Sequence, residues 1–181
     1  VKTKQVYHGG NFHGDYIALE MDKLKLVITK LTMLSERQLN YLLNSKINEL
    51  LPPFVNLGKL GFNFGMQGAQ FTATSTTAEN QALSTSMYIH SIPNNNDNQD
   101  IVSMGTNAAV LCSKVIENAF EVMAIELITL AQAIDALGYS DKVSDETKVW
   151  YKEVRNILPV FSDDQVLYPY IQKVKNYLME S

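Results

Sequence analysis

An all-α fold of long helices is the fold class that this sequence predicts, and two observations support it. Apolar residues recur at intervals of three and four over most of the chain, which is the spacing of one face of an α-helix. No segment shows convincing period-two alternation of apolar and polar residues, as a half-buried strand would. The sequence therefore predicts a bundle of nearly antiparallel helices without a sheet.

The helices follow in order from their apolar patterns and their stop signals. The segment 16–44 is predicted as one long helix, or as two stacked helices with a bend near 32–35. Pro52 and Pro53 end helical structure before a glycine-bearing loop. Further helices are expected over 66–83, over 102–137, near 149–158 and over about 165–179. Asp145 and Glu146 are expected to open the one near 149–158. Gly138 caps the long third helix and Pro159 closes the fourth.

The helix predicted over 102–137 is the dominant element of the chain. Its length of roughly 50 Å follows from a rise of 1.5 Å per residue, and apolar residues surround much of it. A small globule cannot cover such a helix, so other subunits or missing chain should do so. The helix 66–83 consists mostly of small residues and is expected to pair with it at the centre. Glu126 and Gln132 interrupt the apolar surface and are expected to form interhelical hydrogen bonds.

Composition excludes several classes of protein and of partner. The 181 residues suit a single compact unit, and 46% hydrophobic with 19% charged residues is the balance of a folded, soluble protein. A net charge of −4 provides no basic field, so no nucleic-acid partner is predicted. No apolar run approaches the roughly 20 residues needed to span a bilayer, so no membrane partner is predicted. The single Cys112 cannot form an internal disulfide, which favours a cytoplasmic location.

Residues that could carry chemistry are few when each is judged by residue type alone. His8, His13 and His90 show no ligand spacing, so no metal site is predicted, and no hydrolase or nucleotide-binding motif is present. The segment 94–100 is dense in Asn and Gln, whose amides can donate to and accept from an amino acid without titrating. On residue type alone, a polar turn that caps the next helix is the favoured interpretation of these residues, and a binding role stays open beside it.

Five short motifs occur in order along the chain: Gly10-Asn11-Phe12-His13-Gly14, Leu34-Ser35-Glu36-Arg37, Leu51-Pro52-Pro53-Phe54, Asn98-Gln99-Asp100 and Val102-Ser103-Met104-Gly105-Thr106. In content, order and approximate spacing they together resemble the histidine and aromatic amino acid ammonia-lyase family. The resemblance extends over nearly the whole chain through Ala124-Ile125-Glu126-Leu127 and Leu167-Tyr168-Pro169-Tyr170-Ile171.

The resemblance implies a reaction and a prosthetic group. The reaction is elimination of ammonia from an aromatic α-amino acid (histidine, tyrosine or phenylalanine) to give an arylacrylate. The group is an electrophilic methylidene-imidazolone formed by cyclisation of an Ala-Ser-Gly triplet, and no such triplet occurs in these 181 residues. Residues 1–181 are therefore expected to be the carboxy-terminal helical part of such a lyase, inactive alone because the amino-terminal, electrophile-bearing part is absent.

The resemblance also implies an assembly and an architecture. Members of the family form homotetramers around a bundle of long helices of the fumarase/aspartase-like type, with each active site built from three chains. The same association is expected here, which agrees with the physical argument from the uncovered central helix.

Residue by residue, the family pattern implies a substrate-binding set. Phe12 would pack beside the prosthetic group and the substrate. Gln67 would line the substrate pocket, where it fits neither the Lys of phenylalanine-type enzymes nor the Met of histidine-type enzymes. Asn95, Asn98 and Gln99 would form a polar wall, and Gln99 stands where many histidine lyases carry Glu. This combination is closer to tyrosine ammonia-lyases and tyrosine 2,3-aminomutases, so lyase and aminomutase both stay open.

Two further classes are weighed against this function. One is a non-catalytic helical scaffold derived from the family. A fumarase/aspartase-type lyase is disfavoured because its Gly-Ser-Ser loop and Lys-x-Asn signature are missing. If the chain does contribute to an active site, Phe12, Gln67 and the 95–99 turn are expected at helix ends on one side of the molecule.

Overall fold

The computed structural model describes residues 3–6, 9 and 13–181, and these residues form an all-helical structure. A short 3-10 turn, Pro53–Val55, and two isolated β-bridges accompany the helices, and no strand occurs among the described residues. The predicted all-α class is therefore confirmed. The helices are α1 Asp15–Leu43, α2 Ser45–Asn48, α3 Gln67–Leu83, α4 Gly105–Leu137, α5 Asp145–Ile157 and α6 Tyr168–Glu180.

Helix boundaries differ from the sequence prediction where side chains compete for the backbone. Helix α1 is one continuous helix, and Gly138, with φ 62°, caps α4 as expected. Helix α4 begins at Gly105 and not at 102, because the Val102 amide donates to Ser91 Oγ at 2.9 Å and so serves the preceding loop. Helix α5 opens at Asp145 and Glu146 as expected, and the Ser144 side chain accepts from the Thr147 amide as its N-cap.

Helices α1 and α4 run parallel to each other, and α3 runs antiparallel to both. Asn40 contacts Gln70 and Thr32 contacts Asn80, so α1 and α3 have opposite directions. At the other interface Gly105, at the start of α4, lies close to Gly14, just before α1. Further along both helices, Ser35 of α1 donates to Glu126 of α4, so α1 and α4 run in the same direction. The prediction of nearly antiparallel neighbours is therefore wrong for α1 and α4.

The innermost pair is also different from the predicted pair of 66–83 and 102–137. Helix α4 is central, with thirteen buried residues, but its most extensive partner is α1. Nine residues of the 29-residue α1 are buried, against only four of the 17 in α3. The small side chains of α3 allow close approach, but they supply too little apolar surface to make the larger interface.

The apolar core lies along the carboxy-terminal two thirds of α4. Val122, Ile125 and Ile128 are fully buried there and pack with residues of α5 and α6, including Val154 and Val174. The expected interhelical bonds are confirmed at both polar positions. Glu126 accepts from Ser35 of α1, and Gln132 accepts from Arg155 of α5 at 3.0 Å. Gln132 also donates to the Phe161 carbonyl at 2.6 Å.

Helix α1 turns its polar side inward and an apolar side outward. Asp22, Lys25 and Glu36 are among its buried residues. The outward residues recur at heptad spacing and are between 37% and 57% exposed. We call them the α1 stripe: Ile17, Leu24, Val27, Leu31, Leu34 and Tyr41. In the part of the chain that the structure describes, no helix is long and apolar enough to cross a membrane.

Candidate functional site

The amide-rich segment forms a tight turn whose backbone is closed on itself. The Asn94 amide donates to the Gln99 carbonyl at 3.1 Å, and the Asn98 amide donates to the Asn95 carbonyl at 3.2 Å. Asn95 and Asn96 have φ of 55° and 56°, a left-handed conformation that Asn tolerates better than most residues. The backbone therefore uses the turn-forming property of Asn, while the side chains of Asn95 and Asn98 are exposed and available to a ligand.

A buried ion pair on α1 holds the beginning of the loop that carries this turn. Lys25 and Asp22 are 0% and 4% exposed, and Lys25 Nζ lies 2.8 Å from Asp22 Oδ1. Asp22 Oδ2 accepts from Ser86 Oγ and from the amides of Met87 and Tyr88, each at 2.8 Å. Burial raises the pKa of Asp22, but the bonds from Lys25, Tyr88 and Ser86 outweigh it and leave that pKa below its ordinary value.

Asp22 and Lys25 were not selected by sequence reasoning. Both residues stand within a helical pattern where charged residues usually face solvent, so the sequence offered no local signal. The adjacent Cys112 is buried too, and burial raises the pKa of its thiol, so it behaves as a small apolar core residue.

The end of the same loop contacts the chain just before α1. Ser103 Oγ donates to the His13 carbonyl, and Gly105 approaches Gly14 closely. Phe12 lies outside the described residues, so its role stays a prediction. The residue after it in the sequence is nevertheless at the base of the loop that carries the amide turn.

Gln67 lies on a different part of the molecule. It begins α3 and is half-buried at the wall of a groove of about 540 Å³, together with Phe64, Phe71 and Tyr168. Asp164 accepts from the Phe64 amide at 2.9 Å and fixes one rim of this groove.

One chain does not bring Gln67 and the amide turn to one side. Gln67 begins α3 and the turn follows the end of that helix, and the 17 residues of α3 span about 25 Å. The expectation of a single grouped set is therefore wrong for this pair within one chain, because the helix between them is rigid. Their assignment as substrate-binding residues stays a prediction.

Among the described residues, no group of His, Cys, Asp and Glu is placed to hold a metal ion. Glu126 is a further titratable group in an unusual environment, beside a hollow lined by Arg37, Tyr41 and Leu130. Burial raises the pKa of Glu126, and the hydrogen bond from Ser35 opposes this rise only in part. Glu117 is the opposite case, since Lys175 at 3.1 Å lowers its pKa.

These shifts predict opposite pH dependences for two matched variants. Because the pKa of Glu126 is raised in the folded state, its contribution to stability is present below the ordinary value of 4.5 and is lost as pH rises through the folded pKa. Glu126→Gln should therefore gain stability relative to the wild type as pH rises. Glu117→Gln should lose stability relative to the wild type over the same rise, because Glu117 stabilises the fold when ionised.

Denaturant unfolding of the wild type and both variants at a series of pH values between about 4 and 8 measures these differences. The two difference curves should diverge in opposite directions with increasing pH. Parallel curves would contradict the assignment of different environments to the two carboxyls.

The chain is similar in sequence to known enzymes over most of its length. Residues 1–156 match the family model described as aromatic amino acid lyase. The MIO-dependent tyrosine 2,3-aminomutase of Streptomyces globisporus is 38% identical over 175 residues, which are 97% of this chain and 32% of that protein. Histidine ammonia-lyase 1 of Fusobacterium nucleatum is 40% identical over 168 residues, covering 93% of this chain and 32% of that protein.

A solved structure agrees with the sequence matches. The crystal structure of the tyrosine aminomutase from Streptomyces globisporus superposes with a TM-score of 0.94 at 37% identity, covering 99% of this chain and 34% of that chain. The chain thus spans about a third of the length of the curated relatives it matches. With the family model matched over 156 of 181 residues, the chain belongs to the aromatic amino acid lyase family.

Proposed function

We propose that this chain is the carboxy-terminal helical part of an enzyme that eliminates ammonia from an aromatic α-amino acid. The observation that carries the proposal is a tight turn with exposed amide side chains, Asn95 and Asn98, in a chain of this family. Neutral amides can donate to a substrate carboxylate and accept from its amine or ring hydroxyl at any ordinary pH. Their place between α3 and α4 puts them on a rigid scaffold.

The methylidene-imidazolone is proposed to come from outside these residues, because no Ala-Ser-Gly triplet occurs among them. When present, it supplies an electrophile for the amino acid. The amides of the exposed Asn98 and the half-buried Gln99 fit such a group, since their NH₂ donors suit its carbonyl oxygens. What this chain contributes is binding and orientation, so we expect the 181 residues alone to be inactive.

The substrate class is proposed as tyrosine, phenylalanine or histidine. Gln99 in place of Glu favours the tyrosine-type enzymes. A tyrosine 2,3-aminomutase is the second candidate function, and the relative in Streptomyces globisporus carries that name. The cytoplasmic location predicted from the single cysteine belongs to the same proposal.

We also propose that the complete enzyme is a homo-oligomer, most simply a tetramer. Gln67 begins α3, which spans about 25 Å, and the amide turn follows the other end of that helix, so one chain does not present both to one substrate. Gln67 of one subunit and the turn of another would complete a shared site.

A hybrid enzyme tests the function directly. Residues 1–181 replace the matching third of the tyrosine 2,3-aminomutase from Streptomyces globisporus, and the purified hybrid is incubated with each of the three amino acids. We expect an arylacrylate or a 3-amino product from the hybrid and none from the 181-residue chain. A second hybrid serves as the control. In it, the serine of the Ala-Ser-Gly triplet in the aminomutase part is replaced by alanine, and it should also be inactive.

In the active hybrid, Gln99→Ala should lower kcat/KM by roughly 10- to 100-fold, since it removes hydrogen bonds to substrate or electrophile. Asn96→Gly, in the same turn, is the matched control because glycine keeps the positive φ. A correctly folded, tetrameric hybrid without activity would favour the non-catalytic scaffold instead.

A further inference from the structure

The loop between α3 and α4 is tied to α1 at both of its ends. At its beginning, Asp22 and Lys25 bind residues 85–88, and at its end Ser103 donates to the carbonyl of His13. The amide turn of Asn94–Gln99 projects between these two ties, and the bond from the Val102 amide to Ser91 Oγ closes its base. Both ends of the loop are therefore held by residues 13–29, which lie just before α1 and in its first half.

The tie at the beginning is the stronger of the two. Asp22 Oδ2 accepts three hydrogen bonds, two of them from successive backbone amides, and Lys25 Nζ donates to the Thr85 carbonyl at 2.8 Å. Thr29 adds a contact with Ser84 Oγ at 2.5 Å. Both charged side chains are buried, so each needs the other, and charge-assisted hydrogen bonds in such surroundings are short and strong.

From this arrangement we infer that Asp22 and Lys25 are positioning residues, which act through residues 85–88 to hold the amide turn where it meets the substrate. The inference rests on the proposed function for what the turn binds. We call the contacts of Asp22 and Lys25 with residues 85–88 the clamp, and the clamp itself depends only on contacts within this chain. Neither residue reaches the turn, so neither is a catalytic residue.

The clamp predicts local loosening when its charge is removed. In the 181-residue chain, Asp22→Asn should speed hydrogen exchange of the Met87 and Tyr88 amides by about tenfold or more, because an unpaired ammonium is left beside a weaker acceptor. Exchange in the core of α4 should stay within about twofold of the wild type. The double variant Asp22→Asn with Lys25→Met should regain much of the protection, because the asparagine oxygen still accepts and no buried charge lacks a partner.

The matched controls are Glu20→Gln and Lys23→Met, which remove an exposed ion pair of the same spacing on the same helix. They should leave exchange at Met87 and Tyr88 unchanged. Should Asp22→Asn fail to fold, Lys25→Met alone provides the test, since it removes the bond to the Thr85 carbonyl and leaves the buried Asp22 carboxylate without its cation. Exchange at Met87 and Tyr88 should then still be faster than in the wild type.

Kinetics of the hybrid enzyme separate positioning from stability. Asp22→Asn should raise KM by about tenfold and lower kcat less, because a displaced turn weakens substrate binding, whereas a smaller folded fraction lowers kcat alone. Unchanged exchange at Met87 and Tyr88, equal acceleration throughout α4, or a fall in kcat at constant KM would each overturn the inference. An inactive wild-type hybrid would count against the proposed function, and the exchange rates would still decide the clamp.

Discussion

Lysine at positions 24 and 31 is expected to convert an oligomer of this chain into a monomer. Both leucines belong to the α1 stripe and are 37% and 55% exposed. We expect the wild-type chain to associate through this stripe and its other long helices, because apolar residues at heptad spacing form a seam that a second helix covers. Burial of one leucine contributes about 1.5–3 kcal/mol, so two should weaken association by at least about 100-fold.

Light scattering and sedimentation at micromolar concentration measure this change. The control carries lysine at Ile47 and Val149, which are also exposed and helical but lie outside the α1 stripe. It should assemble like the wild type. A wild-type chain that stays monomeric at these concentrations would refute the assembly proposal, as would a Leu24→Lys/Leu31→Lys variant that assembles normally.

Truncation of Ile125 to alanine is expected to cost the fold about 2–5 kcal/mol, because the side chain is fully buried and its removal leaves a cavity. Ile125 lies in the apolar core along α4, where Val122 and Ile128 pack beside it. Alanine has the higher helix propensity, so the loss cannot come from the helix itself. A loss of this size is a large part of the total stability of a domain.

Met123→Ala, on the same helix but 43% exposed, is the matched control and should cost less than about 1 kcal/mol. Denaturant midpoints measured at one fixed protein concentration compare the two variants, because association adds to apparent stability. Equal losses would mean that the interior of the chain alone is not packed around Ile125.

The helices and the family could be predicted from the sequence because both depend on local features. Each such feature can be recognised within one or two helical turns of sequence, as with the apolar spacing along 102–137, the glycine at position 138 and the proline at position 159. The start of α4 was missed by three residues where Ser91 accepts from the Val102 amide, and α6 begins at Tyr168, three residues after the predicted start. A cap or a loop bond of this kind decides the start of a helix without changing its apolar pattern.

The candidate site was predicted only in part. The amide turn was selected because its composition is unusual, and the structure shows how its backbone closes. Asp22 and Lys25 escaped notice because a charged residue in a helix usually faces solvent. Their burial arises from contacts with residues such as Thr85, which is 60 positions away from Lys25.

By itself, then, the sequence determined the helices, the family, and the absence of an Ala-Ser-Gly triplet from these residues. Only the tertiary structure decided that α1 and α4 are parallel, that α1 buries three of its charged residues, Asp22, Lys25 and Glu36, and that α3 separates Gln67 from the amide turn. The physical reason is the distance along the sequence over which the deciding contacts act. Periodicity records which residues share one face of a helix, but which face is buried depends on partners that the chain brings together only when it folds.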